Sequence, residues 1–195
     1  MGEYNGKKVK LYTAVKAAYG NKKAIQKLHN KGYVRDNALS NHNESVFFNP
    51  KNKTLLVSGA GTHNLSDVGT DAYLGVGLLK STKRYKEAEN VLKQAREKYK
   101  PEHTSISGHS LFGAIANGIA SKQDKVTTLD AAFSPNQKVR ENVRNVRTSG
   151  DIVSVFAPKK TTTTLTNPYG VTGFLPIDAY RAHDVGNIKR EHVFV

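Results

Sequence analysis

Residues 108–116 read Gly-His-Ser-Leu-Phe-Gly-Ala-Ile-Ala. A short strand candidate around Ile106 precedes them, and the small residues over 113–120 predict the helix that follows. A serine in such a strand-to-helix turn has its hydroxyl raised clear of the sheet, with the positive end of the helix near the oxyanion that forms when the serine attacks. The pattern therefore makes Ser110 the candidate nucleophile and the Leu111 backbone N–H a candidate oxyanion donor.

The order of elements around this turn predicts an α/β fold. Helical spacing of apolar residues over 85–99 predicts an amphipathic helix packed on a sheet. Short apolar runs predict strands, the first two forming an antiparallel pair: 46–48, 55–57, 126–129 and 152–156. Strands that alternate with helices indicate a mainly parallel central sheet with flanking helices. The threonine run at 161–164 is expected to be a surface loop.

The length of the chain, 195 residues, predicts one domain over 1–195. Over 12–28, two short helical patterns meet at Gly20, and Asn21 is placed to cap the second pattern. We therefore expect residues 1–40 to form an N-terminal helical layer.

The serine turn and its surroundings resemble the class-three lipases of the α/β-hydrolase superfamily. The lipase turn reads Gly-His-Ser-Leu-Gly-Gly before a small-residue helix, and this sequence matches it except at Phe112. Upstream, Gly61 and Thr62 resemble the lipases' Arg-Gly-Thr, with Ala60 in the arginine position. Two aspartates follow as in the family: Asp67 and Asp71. The resemblance implies that Thr62 and Leu111 form the oxyanion hole.

Two later motifs complete a catalytic triad by the same resemblance. The run at 143–147 and Gly-Asp-Ile-Val at 150–153 are similar to the lipases' strand and Asp-Ile-Val motif, which implies that Asp151 is the catalytic acid. His183 resembles the family's late histidine and would be the general base. The resemblance runs over about 46–186, with the serine, aspartate, histidine order of α/β-hydrolases. It implies a serine esterase or lipase that cleaves lipid-like carboxylic esters through an acyl-enzyme.

Other residues compete for each of these roles. Asp130 and Asp178 are rival acids, and His109 and His192 are rival bases. Ser110 would also suit a purely structural helix start. The sequence has no His-Glu-x-x-His or calcium-loop spacing, so we expect neither a metal nor another cofactor.

Three departures from the family pattern support a second class of function. Phe112 and Phe133 stand where glycine is usual, and Ala60 replaces arginine. Glycine two residues after the nucleophile permits close packing of helix on strand, so Phe112 must find space or distort the turn. The departures favour a non-enzymatic scaffold that keeps the hydrolase fold for binding or assembly. The compact basic chain also resembles lipase-like proteins of some large DNA viruses, which would imply a role in the virion.

The composition limits the partners. A formal net charge of +14 favours an anionic partner, such as an acidic membrane surface or a phosphate-bearing substrate. The basic residues are spread along the chain without a nucleic-acid-binding module, so we do not expect specific nucleic-acid binding. The absence of cysteine excludes disulfides and a thiolate nucleophile. We find no signal-peptide core or transmembrane run, which fits a cytoplasmic or virion-associated protein, and nothing in the sequence indicates an oligomeric state.

The chain is short for a class-three lipase, which leaves little sequence for an elaborate lid. We expect residues 71–85 to be the segment that covers the site.

Overall fold

The structure is built on a seven-stranded sheet in which the strands lie side by side in chain order. The strands are β1 (Val34–Asp36), β2 (Glu44–Asn49), β3 (Thr54–Gly59), β4 (His103–His109), β5 (Lys125–Leu129), β6 (Val143–Thr148) and β7 (Thr162–Leu165). The pairs β1–β2 and β2–β3 are antiparallel, and the pairs from β3 to β7 are parallel. The mainly parallel sheet and the antiparallel pair expected from the sequence are therefore confirmed.

The computed structural model describes residues 8–62, 78–133, 139–166, 182–185 and 193–195. Some residues singled out in the sequence lie outside these ranges: Asp67, Asp71, the 71–77 part of the expected covering segment, Asp178 and His192. The described remainder of that segment forms a short 3-10 helix, Leu79–Ser81, and the start of an α-helix.

Helices flank the sheet. In the described ranges they are α1 (Leu11–Ala18), α2 (Lys22–His29), α3 (Lys83–Tyr99) and α4 (Ser110–Ile119). Asn21 caps α2 as predicted, because its side chain accepts a hydrogen bond from the Ala24 N–H at 3.0 Å. Thr82 caps α3 in the same way through the Tyr85 N–H, at 3.2 Å. None of these described helices combines the length and the apolar composition needed to cross a lipid bilayer.

The helices form a layer on each face of the sheet. The predicted amphipathic helix is α3, and it contributes a buried stripe at helical spacing: Tyr85, Ala88, Leu92 and Ala95. Val46 and Val57 share the core with α3 and α4, whereas the adjacent Phe47 and Leu56 share a core with α1 and α2. Successive strand residues point to opposite faces, so one run of apolar residues serves both layers. Helices α1 and α2 lie within the expected N-terminal layer, which also contains β1.

The predicted strand over 152–156 is wrong, because these residues form a turn. The Asp151 carboxylate accepts hydrogen bonds from the N–H groups of Val153, at 3.2 Å, and Ser154, at 2.8 Å. Such bonds from an aspartate to the backbone two and three residues later favour a turn over a strand, whatever the apolar content of the run. The neighbouring strand β6 ends before this turn.

The predicted surface loop over 161–164 is also wrong. These residues lie largely in β7, which pairs parallel to β6 with Asn145 opposite Thr162. Threonine is β-branched and suits a half-exposed strand, so a run of threonines extends the sheet by one strand.

Candidate active site

Ser110 is the first residue of α4 and directly follows His109, the last residue of β4. The helix therefore begins at Ser110 rather than at the expected position 113. The φ angle of Ser110 is 52°, in the left-handed region that non-glycine residues rarely occupy. Backbone strain of this kind is concentrated at functional sites.

The Ser110 side chain is buried, and its Oγ has no hydrogen-bond partner within the described residues. Helix α4 also begins without a side-chain cap. The first N–H groups of a helix have no acceptor in that helix, so the Leu111 N–H lies at an uncapped positive helix end beside the serine.

The loop at 60–62 lies against the serine. A Cβ added at Gly61 would be 2.7 Å from the Ser110 Cβ, which is closer than two such carbons can approach. Glycine is therefore required there by the close packing of backbone on side chain. Thr62, which is half-buried, is the next residue of this loop.

Arg84, which the sequence analysis did not single out, contacts the same loop from α3. Its Nη2 donates to the carbonyl oxygen of Ala60 and, at 3.1 Å, to that of Gly61. Burial lowers the pKa of the Arg84 guanidinium, and the nearby buried carboxyl of Glu44 opposes this shift. In the sequence, Arg84 is one of several basic residues over 83–99, and nothing there distinguishes it from the others.

His183 and Asp151 form a buried hydrogen-bonded pair. His183 Nδ1 lies 2.8 Å from Asp151 Oδ1, and their side chains are 2% and 0% exposed. Burial alone would raise the pKa of Asp151, but the hydrogen bond and charge of His183 and the hydrogen bonds of Ser154 hold this pKa below its ordinary value. The ionised carboxylate accepts the Nδ1 proton, so Nε2 is the ring nitrogen that can take up a further proton.

Asp130, the rival acid in the described residues, has different partners. It accepts hydrogen bonds from the Thr148 N–H at 2.6 Å and contacts the Thr148 hydroxyl at 3.0 Å. Burial and the nearby charge of Asp151 raise the pKa of Asp130 well above its ordinary value, which favours its neutral form. The pKa values of the two buried carboxyls are therefore shifted in opposite directions, and Asp151 is the one bonded to His183.

His109, the rival base, has no free ring nitrogen. Its Nδ1 lies 2.8 Å from the Tyr19 hydroxyl, and its Nε2 lies 2.9 Å from the carbonyl oxygen of His183. Burial, helped by the charge of His183, lowers the pKa of His109 to about 3. By contrast, His183 Nε2 is buried and has no partner in the described part of the chain.

The structure brings His183 to Asp151 but does not join Ser110 to His183 by a hydrogen bond. The Ser110 Oγ and the His183 Nε2 are both buried and unpartnered among the described residues. The His109 ring lies 4.6 Å from the His183 ring between centroids, so these two histidines form one buried cluster at the end of β4, directly before Ser110. Hydrogen bonds at reacting groups are often long before a substrate binds.

Three side chains of metal-ligand type also meet in this cluster. Within the described residues, His109, Asp130 and His183 have ligand atoms that lie within 4.8 Å of one another. A cation at this position would have to displace one hydrogen bond of His109, since both of its ring nitrogens already have a partner.

Phe112 finds space rather than distorting the turn, because two glycines face its ring. The side chain is fully buried in the core beneath α3 and α4. Gly59 and Gly108 are register partners on β3 and β4, and a Cβ at Gly108 would lie 2.7 Å from the ring. Phe133, the other phenylalanine in a family glycine position, is also fully buried.

Comparisons with known proteins give matches among solved structures. No protein-family model and no curated protein matches the sequence. A mutant form of MDLA from Penicillium cyclopium is 12% identical, with 80% of this chain and 75% of that chain covered at a TM-score of 0.52. A triacylglycerol lipase from Penicillium expansum is 16% identical, with 80% and 79% covered and a TM-score of 0.48. The Lip2 lipase of Yarrowia lipolytica is 19% identical, with 64% and 60% covered and a TM-score of 0.43.

These matches concern the fold. The likeness to MDLA, whose TM-score is above 0.5, together with the seven-stranded, mainly parallel sheet and its flanking helices, shows the lipase-like α/β-hydrolase fold that the sequence predicts. The chain spans less than two thirds of some of these proteins, with 60% of the Yarrowia lipase and 62% of a Rhizomucor miehei lipase covered.

Proposed function

We propose that the chain is a serine hydrolase of carboxylic esters, with Ser110 as nucleophile, His183 as general base and Asp151 as the acid that orients it. One observation carries the proposal. Among the described residues, the Ser110 Oγ and the His183 Nε2 are each buried without a hydrogen-bond partner, while the other nitrogen of His183 bonds Asp151 at 2.8 Å. Buried polar atoms without partners are rare. The proposed reaction would use both atoms, because the serine oxygen attacks the substrate carbonyl and the histidine nitrogen takes the serine proton.

In the first half-reaction, the Ser110 Oγ attacks the ester carbonyl carbon and the His183 Nε2 takes the hydroxyl proton. Asp151 keeps the ring in the required tautomer and stabilises the imidazolium. The carbonyl oxygen becomes an oxyanion, for which the Leu111 N–H and Thr62 are the candidate donors. When the intermediate collapses, the bond to the alcohol oxygen breaks and His183 returns its proton to that oxygen.

The second half-reaction releases the acid. His183 takes a proton from a water molecule, the resulting hydroxide attacks the acyl carbon, and a second oxyanion forms. Its collapse breaks the bond to the Ser110 Oγ, which regains the proton from His183. The carboxylic acid leaves, and no cofactor takes part in either half.

Lipid-like esters are the substrates that we propose. The turn after Asp151 carries three exposed large apolar side chains, Ile152, Val155 and Phe156, with exposures of 36%, 51% and 44%. Exposed apolar residues grouped in this way favour contact with an apolar ligand.

Reaction with a fluorophosphonate probe tests the proposal, because such probes form a covalent bond with an activated serine. Intact-mass analysis is expected to find one adduct on the wild type and on Ser121→Ala, a control at a serine that follows the opposite end of α4. Ser110→Ala is expected to carry none, and it should also lack turnover of ester substrates. A folded wild-type protein that forms no adduct would refute the hydrolase and favour the non-enzymatic scaffold.

A further inference from the structure

A continuous chain of hydrogen bonds runs from the 60–62 loop to His183. The Gly61 N–H donates to the Tyr19 hydroxyl oxygen at 2.8 Å. That hydroxyl lies 2.8 Å from His109 Nδ1, and His109 Nε2 lies 2.9 Å from the carbonyl oxygen of His183. Tyr19 is the residue at the C-terminal end of α1, so the chain of bonds joins that helix, the end of β4, the 60–62 loop and the segment 182–185.

The direction of each bond follows from chemistry. A carbonyl oxygen only accepts, so His109 Nε2 carries the proton that it donates to His183. Burial lowers the pKa of His109 to about 3, so its ring is neutral and Nδ1 holds a lone pair. The Tyr19 hydroxyl therefore donates to Nδ1 while its oxygen accepts from Gly61. Burial also raises the pKa of Tyr19 to about 12, which keeps this hydroxyl protonated.

We infer that Tyr19 and His109 are positioning residues, which hold the 60–62 loop and the base histidine in one fixed geometry. The inference rests on the function proposed above. Neither side chain is assigned a bond to the reacting atoms. Both act through the backbone, at the Gly61 N–H and at the His183 carbonyl.

The hydrogen bonds from Gly61 through Tyr19 and His109 to His183 form a relay, which determines which groups remain available for the reaction. Because Tyr19 takes the Gly61 N–H, Thr62 is the residue of this loop left to donate to an oxyanion. His183 is held at two points, at its carbonyl by His109 and at its Nδ1 by Asp151, and its Nε2 has no partner among the described residues. A reacting group displaced by about 1 Å can lose on the order of 10²-fold in rate, so a double anchor on the base is significant.

Tyr19→Phe tests the relay because it removes one hydroxyl and keeps the ring. The matched control is Tyr99→Phe, which removes a hydroxyl that donates to Asp36 at 2.8 Å, on residues that take no part in the site. The direct readout is the nitrogen chemical shifts of imidazoles in ¹⁵N-histidine protein, with His109 assigned from its loss in His109→Gln. We expect the Nε2–H tautomer in all three proteins, because the His183 carbonyl still accepts from Nε2. Only in Tyr19→Phe should the His109 Nδ1 resonance move downfield, because its lone pair loses the Tyr19 donor.

The activity readout is kcat and KM for a short-chain ester. Tyr19→Phe is expected to lower kcat by up to about 10²-fold with little change in KM, whereas Tyr99→Phe should behave as wild type. A wild-type His109 protonated on Nδ1 would overturn the relay whether or not the protein hydrolyses esters. An unchanged kcat in an active Tyr19→Phe variant would overturn the positioning role. Predicted tautomers in a protein without esterase activity would instead refute the hydrolase and leave the hydrogen-bond chain standing.

Discussion

The Phe112 ring fills the space that a side chain at Gly59 would need. A Cβ built on Gly59 would lie 2.0 Å from the ring, so the absence of a side chain at the end of β3 is what admits the ring from α4. The serine turn therefore keeps its close helix-to-strand packing although phenylalanine stands where class-three lipases have glycine. Because Gly59 leaves room for the ring, Phe112 is no longer a reason to expect a distorted serine turn.

We expect Phe112→Gly to lower the free energy of unfolding by about 3 to 5 kcal/mol, because a buried ring is lost and a cavity remains beside β3. Ester hydrolysis should not increase, since the ring does not crowd Ser110. Urea unfolding and ester turnover of the wild type and the variant measure the two effects. A rise in turnover that Ser110→Ala abolishes would show that the ring does impair the site.

A double-mutant cycle tests whether the side chains at positions 59 and 112 compete for the same space. Gly59→Ala should destabilise the wild type because the new Cβ meets the Phe112 ring, but should be tolerated when Phe112 is already glycine. The free energies of unfolding of the two single variants and the double variant give the coupling. Equal costs of Gly59→Ala in both backgrounds would mean that the two positions do not share the space.

The candidate triad could be named from the sequence because each member lies in a short local motif. Ser110 is recognisable between a strand and a small-residue helix, and Asp151 and His183 have distinctive neighbours. A local pattern misleads at 152–156, where apolar residues favour a strand but the Asp151 side chain bonds the backbone and forms a turn.

Tyr19 and Arg84 could not be found in this way. Both act on backbone groups of the 60–62 loop, and only the packing of α1 and α3 on the sheet brings them there. A tyrosine at a helix end and an arginine on a basic helix have no pattern that marks them. Likewise, the compensation of Phe112 by Gly59 depends on a contact between residues far apart in the sequence.

The two buried aspartates are expected to respond differently to the same substitution. Asp151→Asn should lower kcat by on the order of 10⁴-fold, because an amide at this position can donate to His183 and select the wrong tautomer. Asp130→Asn should change kcat little, since the raised pKa of Asp130 already favours a neutral group and asparagine can still accept from the Thr148 N–H. Steady-state kinetics on both variants decide between them, and a larger loss in Asp130→Asn would transfer the acid role to that residue.

Arg84→Lys should lower kcat roughly tenfold, because both bonds to the 60–62 loop come from the Arg84 Nη2, and the shorter lysine side chain ends one bond nearer the backbone. KM should change little if the loop serves the oxyanion and not substrate binding. The control is Arg96→Lys, at an arginine of the same helix that pairs with Asp124. Equal kinetics in the two variants would mean that Arg84 does not position the loop.

A formal net charge of +14 leads us to expect binding to anionic vesicles in preference to neutral ones. Added salt should weaken this binding, since it screens charge at the surface. Co-sedimentation with vesicles of phosphatidylcholine alone, or mixed with phosphatidylserine, measures both effects. Equal binding to the two compositions that does not respond to salt would remove the anionic surface from the list of partners.

Burial of a neutral His109 makes stability depend on pH. Its pKa falls from 6.5 to about 3 on folding, so between these values the unfolded chain binds a proton that the folded protein does not. Stability should therefore decrease below pH 6.5, by up to about 1.4 kcal/mol per pH unit from this residue. Asp130, whose pKa is raised on folding, contributes the opposite slope, and comparison with His109→Gln cancels it. Urea unfolding of both proteins from about pH 7 to about pH 4.5 should give a shallower dependence for the variant, and equally steep curves would mean that His109 titrates normally in the folded protein.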